Sequence, residues 1–223
     1  MTRRACIYCC REFQGSALAA EPVLPTALGG RLALKRATCS ECATRVRRLT
    51  DDFLASGFAP VAAAMAKRVD RGGPPAATPP ASPAGISPDD WQRAHRAAAK
   101  ILYCYLLLEL GQPVLSSPAS EVLRRHLSGA EIEHWEPRYE VTQPRYSPSP
   151  NWHVLMFDAA PPSHAAVGLF GTIWFRFRLD LEALAPHGRL AAFDATRGAR
   201  GMAALRHRGA WHYRSAVRWG WKG

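Results

Sequence analysis

Two Cys-x-x-Cys pairs near the start of the chain constrain its fold more than any other feature. Cys6 and Cys9 form the first pair, and Cys39 and Cys42 form the second. Each pair can present two thiolates from one tight turn, and two such turns complete the tetrahedral sulfur site that zinc prefers. A site of four cysteines leaves no open position for a substrate, so the spacing predicts a structural zinc. Two redox dithiols, an iron–sulfur centre and a chance arrangement are the alternatives.

The other cysteines and the apolar runs bear on the location of the protein. No apolar stretch separates Arg4 from Cys6, so we expect no export signal and a cytoplasmic protein. A reducing compartment favours metal binding over disulfides for paired cysteines. Cys10 is expected to be a spare thiol and Cys104 a small core residue. The longest apolar run, residues 101–108, is far shorter than the roughly 20 residues that span a bilayer, so no membrane association is expected.

A change of composition divides the 223 residues into two folded units. Residues 71–88 are rich in Pro, Gly and Ala and have Ile86 as their one large apolar residue, which predicts an extended linker. We therefore expect a small module at residues 1–70 and a second domain at residues 89–223.

Helix signals lie on both sides of this linker. Residues 44–70 have the pattern of one or two helices, with a break expected between Gly57 and Pro60. Ser87 followed by Pro88 predicts a helix start, and Gly111 predicts its end after Leu110. The same reasoning predicts a second helix from Ser117 to about Gly129.

The last third of the chain has the character of strands. Residues 152–157, 166–179 and 189–193 are rich in Val, Ile, Phe, Leu and Trp and are separated by Pro, Gly and Asp. Within 173–179 arginines alternate with apolar residues, as in a strand with one solvated face. The predicted fold class is α+β, with a zinc module and linker first, then helices, then a small, mostly antiparallel sheet.

The net charge of +11 is concentrated at the two ends of the chain. Residues 1–72 carry 12 basic and 6 acidic side chains, and residues 197–223 carry 7 basic and no acidic ones. Basic clusters attract polyanions through release of condensed counterions, so nucleic acid is the partner we expect first. An anionic membrane surface and an acidic protein are the alternatives, and a purely solubilising role is the simplest explanation.

The segment between the cysteine pairs adds a family resemblance. Residues 21–30, EPVLPTALGG, resemble the EHxxP…LGG stretch of zinc-containing HNH endonucleases, and residues 6–52 follow the order of motifs in that family. The resemblance implies a treble-clef or ββα-metal module whose structural zinc is separate from a catalytic Mg²⁺ or Mn²⁺. Less specific matches at residues 95–101, 123–127 and 169–171 resemble the helical and β extension of bacterial members.

Two residues depart from the family pattern. The family's general base is the histidine of EHxxP, and here that position is Pro22, which has no proton acceptor. The asparagine that follows the second cysteine pair in the family corresponds to Ala43. Glu21 is the one remnant of the active-site group, and a single carboxylate cannot also replace a base that contributes about 10²–10⁴-fold. Another histidine is the alternative base.

The first hypothesis is a nucleic-acid-binding protein on a degenerate HNH module, with DNA favoured over RNA. The alternatives are a protein-interaction subunit of a nuclease, defence or mobile-element complex, and an active divalent-metal-dependent endonuclease with rearranged residues. Basic side chains near the second cysteine pair and in the aromatic C-terminal tail are the expected contacts to nucleic acid. They are Arg31, Lys35, Arg36, Arg45, Arg47, Arg48, Arg206, Arg208, Arg214 and Arg218.

Overall fold

The structure is a computed structural model, and it describes nine parts of the chain. These are residues 3–28, 30, 32–57, 88–130, 138–141, 152–158, 164–169, 173–179 and 189–194. The predicted linker lies outside the described residues except for Pro88, and so does the basic C-terminal tail.

Two small antiparallel strand pairs begin the chain. Strands β1 (Arg3–Ala5) and β2 (Glu12–Gln14) form the first, and the turn between them contains the first cysteine pair. Strands β3 (Ala19–Pro22) and β4 (Ala33–Thr38) form the second. The turn between β3 and β4 needs Gly30, because a Cβ there would lie 2.0 Å from a carbonyl oxygen of Leu24. This close approach therefore requires glycine at Gly30, the second glycine of the LGG motif.

Helix α1 (Ser40–Leu49) follows directly from β4. It begins four residues earlier than the predicted start at residue 44, because the Ala43 amide donates to the Cys39 carbonyl at 2.9 Å and closes the first turn around the second cysteine pair. The helix ends at Thr50, whose hydroxyl donates to the Val46 carbonyl at 2.7 Å, and residues 51–57 are again helical. The break at Thr50 was not predicted. The expected break between Gly57 and Pro60 falls at the edge of the described residues.

Two helices follow at the positions predicted from their cap residues. Helix α2 (Pro88–Leu110) ends before Gly111, whose φ of +74° suits a residue without a side chain. Helix α3 (Pro118–Leu127) begins at Ser117, whose side chain accepts from the Ser120 amide at 3.2 Å. Residues 97–106 of α2 are all buried, so other parts of the fold cover this helix on every side.

One antiparallel sheet completes the described fold and confirms the α+β class. Its strands are β5 (Arg138–Val141), β6 (Trp152–Asp158), β7 (His164–Leu169), β8 (Ile173–Arg178) and β9 (Arg189–Asp194), in the order β5-β8-β7-β6-β9.

The sheet differs from the sequence prediction in two respects. The predicted run 166–179 forms two strands, β7 and β8, that pair with each other. The short strand β5 was not predicted, because Arg138–Val141 has too few apolar residues to show a strand pattern. The alternation in β8 is confirmed, with Ile173, Phe175 and Phe177 buried and Arg178 exposed.

The main core lies between α2 and the sheet. Trp91 of α2 packs on Phe175 of β8, with ring centroids 6.2 Å apart. His95 of α2 packs on Phe177 at 4.5 Å. Among the described residues, no helix is both long enough and apolar enough to cross a membrane.

Candidate functional site: a cysteine cluster and a buried lysine

The structure brings the four predicted zinc ligands together. The sulfur atoms of Cys6, Cys9, Cys39 and Cys42 all lie within 4.8 Å of one another, and those of Cys9 and Cys39 are 4.0 Å apart. Sulfurs placed about 2.3 Å from a zinc ion at the corners of a tetrahedron are about 3.8 Å apart. The spacing of this cysteine cluster therefore fits one metal ion such as zinc.

Local backbone geometry places the sulfurs. The Cys10 amide donates to the Cys6 carbonyl at 2.9 Å and closes the turn that carries the first pair. Cys10 itself has a φ of +57°, in the left-handed region, and its side chain is exposed. The Cys39 amide donates to the Cys6 sulfur at 3.4 Å, which links the start of α1 to the first turn. An amide that points at a thiolate stabilises its negative charge.

Two arginines lie against the cysteine cluster. The Arg45 guanidinium donates to the Cys42 sulfur at 3.7 Å. Arg11 lies near Cys9 and pairs with Glu41 at 2.6 Å. Burial raises the pKa of Cys9, but interactions with Arg11, Cys6 and Cys42 outweigh it and lower this pKa to about 7.

Next to this cluster, the Glu21 carboxylate meets a lysine that the sequence analysis had not singled out. Lys100 of α2 places its Nζ 3.0 Å from Glu21 Oε1 and 3.1 Å from Asp51 Oδ2, and donates to the Pro22 carbonyl. The Lys100 side chain is 0% exposed and the Glu21 side chain is 6% exposed. We call Lys100, Glu21, Asp51 and the Pro22 carbonyl the Lys100 cluster.

The charges in the Lys100 cluster support one another. Burial alone would lower the pKa of Lys100, but the acidic groups around it, Cys104, Asp51 and Glu21, raise it above its ordinary value. Burial raises the pKa of Glu21, and the ammonium of Lys100 acts in the opposite direction. A buried ammonium that has two carboxylate partners and a carbonyl partner stays protonated.

Neighbouring residues of α2 attach this helix to the first cysteine turn. The Tyr103 hydroxyl donates to the Ile7 carbonyl between Cys6 and Cys9. Cys104 is fully buried, as predicted for a core residue, and its sulfur lies 3.7 Å from the Tyr8 hydroxyl. These contacts fix the position of Lys100 relative to Glu21. Lys100 could have been singled out from the sequence, because it is the one charged residue in the otherwise apolar helical stretch 97–106. A charged residue in such a stretch needs a buried partner.

The histidines whose side chains are described lie elsewhere. His95 and His126 are buried together, with ring centroids 5.6 Å apart, and His95 Nε2 donates to the Arg176 carbonyl at 3.2 Å. The side chains of the other six histidines lie outside the described part of the chain. Pro22 and Ala43 are the residues that the family resemblance aligns with its histidine and asparagine.

Five of the residues predicted to contact nucleic acid lie within the described part of the chain. Lys35, Arg36, Arg45, Arg47 and Arg48 are all exposed. Arg47 pairs with Asp52 at 3.8 Å, and Arg45 contacts Cys42 as described above. Arg31 and the four tail arginines, at positions 206, 208, 214 and 218, lie outside the described residues.

Lys35 and Arg36 lie in a bulge of β4, where the regular pairing with β3 is interrupted. Glu21 pairs with Leu34 and Ala19 pairs with Thr38, so two extra residues of β4 are accommodated between these pairs. Arg36 has a φ of +51° within the bulge. Bulges re-aim side chains, and here both basic side chains are exposed.

Comparison with known proteins gives one match. Residues 6–59 match the family model of the HNH endonucleases. The match spans the cysteine cluster, β3, β4 and α1, and confirms the resemblance seen in the sequence. No curated protein and no solved structure matches the chain. Lys100 lies outside the matched residues, so the cation beside Glu21 comes from a different part of the chain.

Proposed function

We propose that this protein binds nucleic acid, with DNA favoured over RNA, through an HNH endonuclease-like module that does not hydrolyse it. The observation that carries the proposal is the set of exposed basic residues on that module. Lys35 and Arg36 extend from the β4 bulge, and Arg48 is exposed on α1 beside the second cysteine pair. Phosphates attract such residues, and a nuclease-like scaffold supplies the expected substrate class.

The Lys100 cluster supports the absence of hydrolysis. Metal-dependent hydrolysis requires a carboxylate free to bind the ion and a base able to activate water. Glu21 is bound to Lys100, and Pro22 offers its carbonyl to the same ammonium. A catalytic Mg²⁺ or Mn²⁺ therefore has no role in the proposed function.

We assign the cysteine cluster to one structural zinc ion. The sulfur spacing, the all-cysteine ligand set and the amide donor to Cys6 support the assignment. In this role the ion would join the β1–β2 turn to α1 and so hold the basic residues of α1 at a fixed position beside β4.

Binding can be tested by fluorescence anisotropy with a labelled 20-base-pair DNA, the matching single strand and the matching RNA. We expect the logarithm of the affinity to fall linearly with the logarithm of salt concentration between about 50 and 200 mM. Lys35→Ala and Arg48→Ala should each make the slope for duplex DNA shallower by about 0.9 and weaken binding to all sequences alike.

Arg125→Ala is the control, since Arg125 is an exposed arginine on α3 and lies outside residues 6–59, which match the family model. It should leave the slope unchanged. Binding that is absent at low salt would contradict the proposal and favour the protein-interaction subunit. Plasmid incubated with Mg²⁺ or Mn²⁺ should stay intact with both wild type and Glu21→Ala, and nicking by wild type alone would show an active endonuclease.

A further inference from the structure

Three oxygen atoms from two separate parts of the chain surround Lys100 Nζ. Glu21 Oε1 and the Pro22 carbonyl come from β3, and Asp51 Oδ2 comes from the helical residues after α1. Two carboxylates and a carbonyl around one positive charge form the kind of oxygen ligand set that binds Mg²⁺ and Mn²⁺. In this chain the positive charge is an ammonium attached to α2.

We propose that Lys100 is a built-in cation in a latent metal site, which takes a divalent ion once the ammonium is removed. The site lies at Glu21, the one residue that the chain retains of the family's active-site group. Lys100 would then replace a dissociable ion with a covalently attached one. This inference goes beyond nucleic-acid binding and does not depend on it.

The burial of Lys100 explains why the native site is closed to metal ions. The Lys100 side chain is 0% exposed, and its ammonium already satisfies both carboxylates at 3.0 and 3.1 Å. A divalent ion would have to displace it against the fixed position of α2, which Tyr103 holds against the Ile7 carbonyl. We therefore expect wild-type stability to be insensitive to Mn²⁺ and Mg²⁺.

The test compares wild type, Lys100→Ala and Lys100→Met, each with its zinc content checked. Lys100→Ala removes the ammonium and opens the space around the oxygens, while Lys100→Met fills that space with an uncharged chain. Manganese EPR should count one bound Mn²⁺ per Lys100→Ala chain and none in the other two proteins. The unfolding temperature of Lys100→Ala should rise by roughly 5–10 °C at a hundredfold excess of Mn²⁺ over its dissociation constant.

The ligands are identified by a second substitution. Glu21→Gln added to Lys100→Ala removes one carboxylate and should weaken Mn²⁺ binding at least tenfold, while Asp52→Asn should have no such effect because Asp52 pairs with Arg47. A folded Lys100→Ala protein that binds no Mn²⁺, or that binds it equally well without the Glu21 carboxylate, overturns the proposal.

A second measurement applies when the Lys100→Ala protein does not fold in metal-free buffer. Recovery of the folded state on addition of MnCl₂ would then support the proposal. Failure to recover in MnCl₂ or MgCl₂, when Lys100→Met does fold, would contradict it. Neither result bears on the anisotropy experiment with wild-type protein, so failure of this inference and failure of the proposed function are distinguishable.

Discussion

Arg45 is an exposed residue of α1 that contacts the cysteine cluster. It was expected to contact phosphate, and its guanidinium donates to the Cys42 sulfur at 3.7 Å. Four thiolates around a zinc ion form a doubly negative centre, so an adjacent guanidinium lowers its electrostatic cost. Residues that contact metal ligands in this way commonly change metal affinity by about 10–100-fold when they are replaced.

We therefore predict that Arg45→Ala releases zinc faster than wild type. The release rate to a colorimetric chelator should rise about tenfold, because the Cys42 thiolate loses its charged donor. Arg48→Ala is the control, since it removes an exposed arginine from the same helix. Equal release rates for Arg45→Ala and Arg48→Ala would show that the contact with Cys42 does not stabilise the centre.

At the scale of elements, the bulge in β4 combines backbone strain with exposed positive charge. Arg36 has a φ of +51°, a conformation that costs a residue with a side chain about 1–2 kcal/mol relative to glycine. Strained backbone at an exposed basic residue is consistent with a role in binding, because strain is tolerated where a side chain must be aimed.

Two substitutions separate the strain from the charge. Arg36→Gly should raise the free energy of unfolding by about 1 kcal/mol over Arg36→Ala, since only glycine relieves the positive φ. Denaturant unfolding measures this difference. Both variants should weaken DNA binding equally and reduce the salt slope by the same amount. Equal stability of the two variants would mean that the bulge changes shape when Arg36 is replaced.

For the whole molecule, helix α2 joins the two ends of the described fold. One part of it holds Lys100 and Tyr103 against the N-terminal residues, and an earlier part holds His95 against β8 and α3. Burial lowers the pKa of His95 to about 4 and, with the added effects of His95 and Arg96, lowers that of His126 to about 3. Both histidines are therefore neutral in the folded protein at neutral pH.

This predicts a fold that loses stability in mild acid. The folded-state pKa values lie below the unfolded value of about 6.5, so the unfolded state binds protons first as the pH falls. The free energy of unfolding is therefore highest above pH 6.5 and decreases as the pH falls toward 4. By pH 5 the loss should reach about 2 kcal/mol for each histidine. Denaturant unfolding at a series of pH values measures it.

His126→Leu is the comparison for this pH profile. It removes one titrating group and should flatten the dependence between pH 6.5 and 5. Protonation of the cysteine cluster affects the variant and wild type alike, so the difference between their curves reports on His126. Parallel curves would show that His126 does not contribute.

Local patterns in the sequence predicted a large part of the fold. Cap residues such as Ser117 and Gly111 determined the bounds of α2 and α3, since capping depends on neighbours within a few residues. The unpredicted elements, β5 and the break at Thr50, have no local signal of comparable strength. The gathering of the four cysteines followed from their spacing, because each pair needs only one turn.

The sequence by itself therefore determined the cysteine cluster, the HNH-like order of motifs and the presence of Pro22 after Glu21. Only the tertiary structure decided what lies beside Glu21. Lys100 meets the Pro22 carbonyl and Asp51 across 78 and 49 residues of chain, and no short-range pattern encodes such contacts. They arise because residues 97–106 of α2 are all buried, so that the charge of Lys100 must find partners wherever the packing places it.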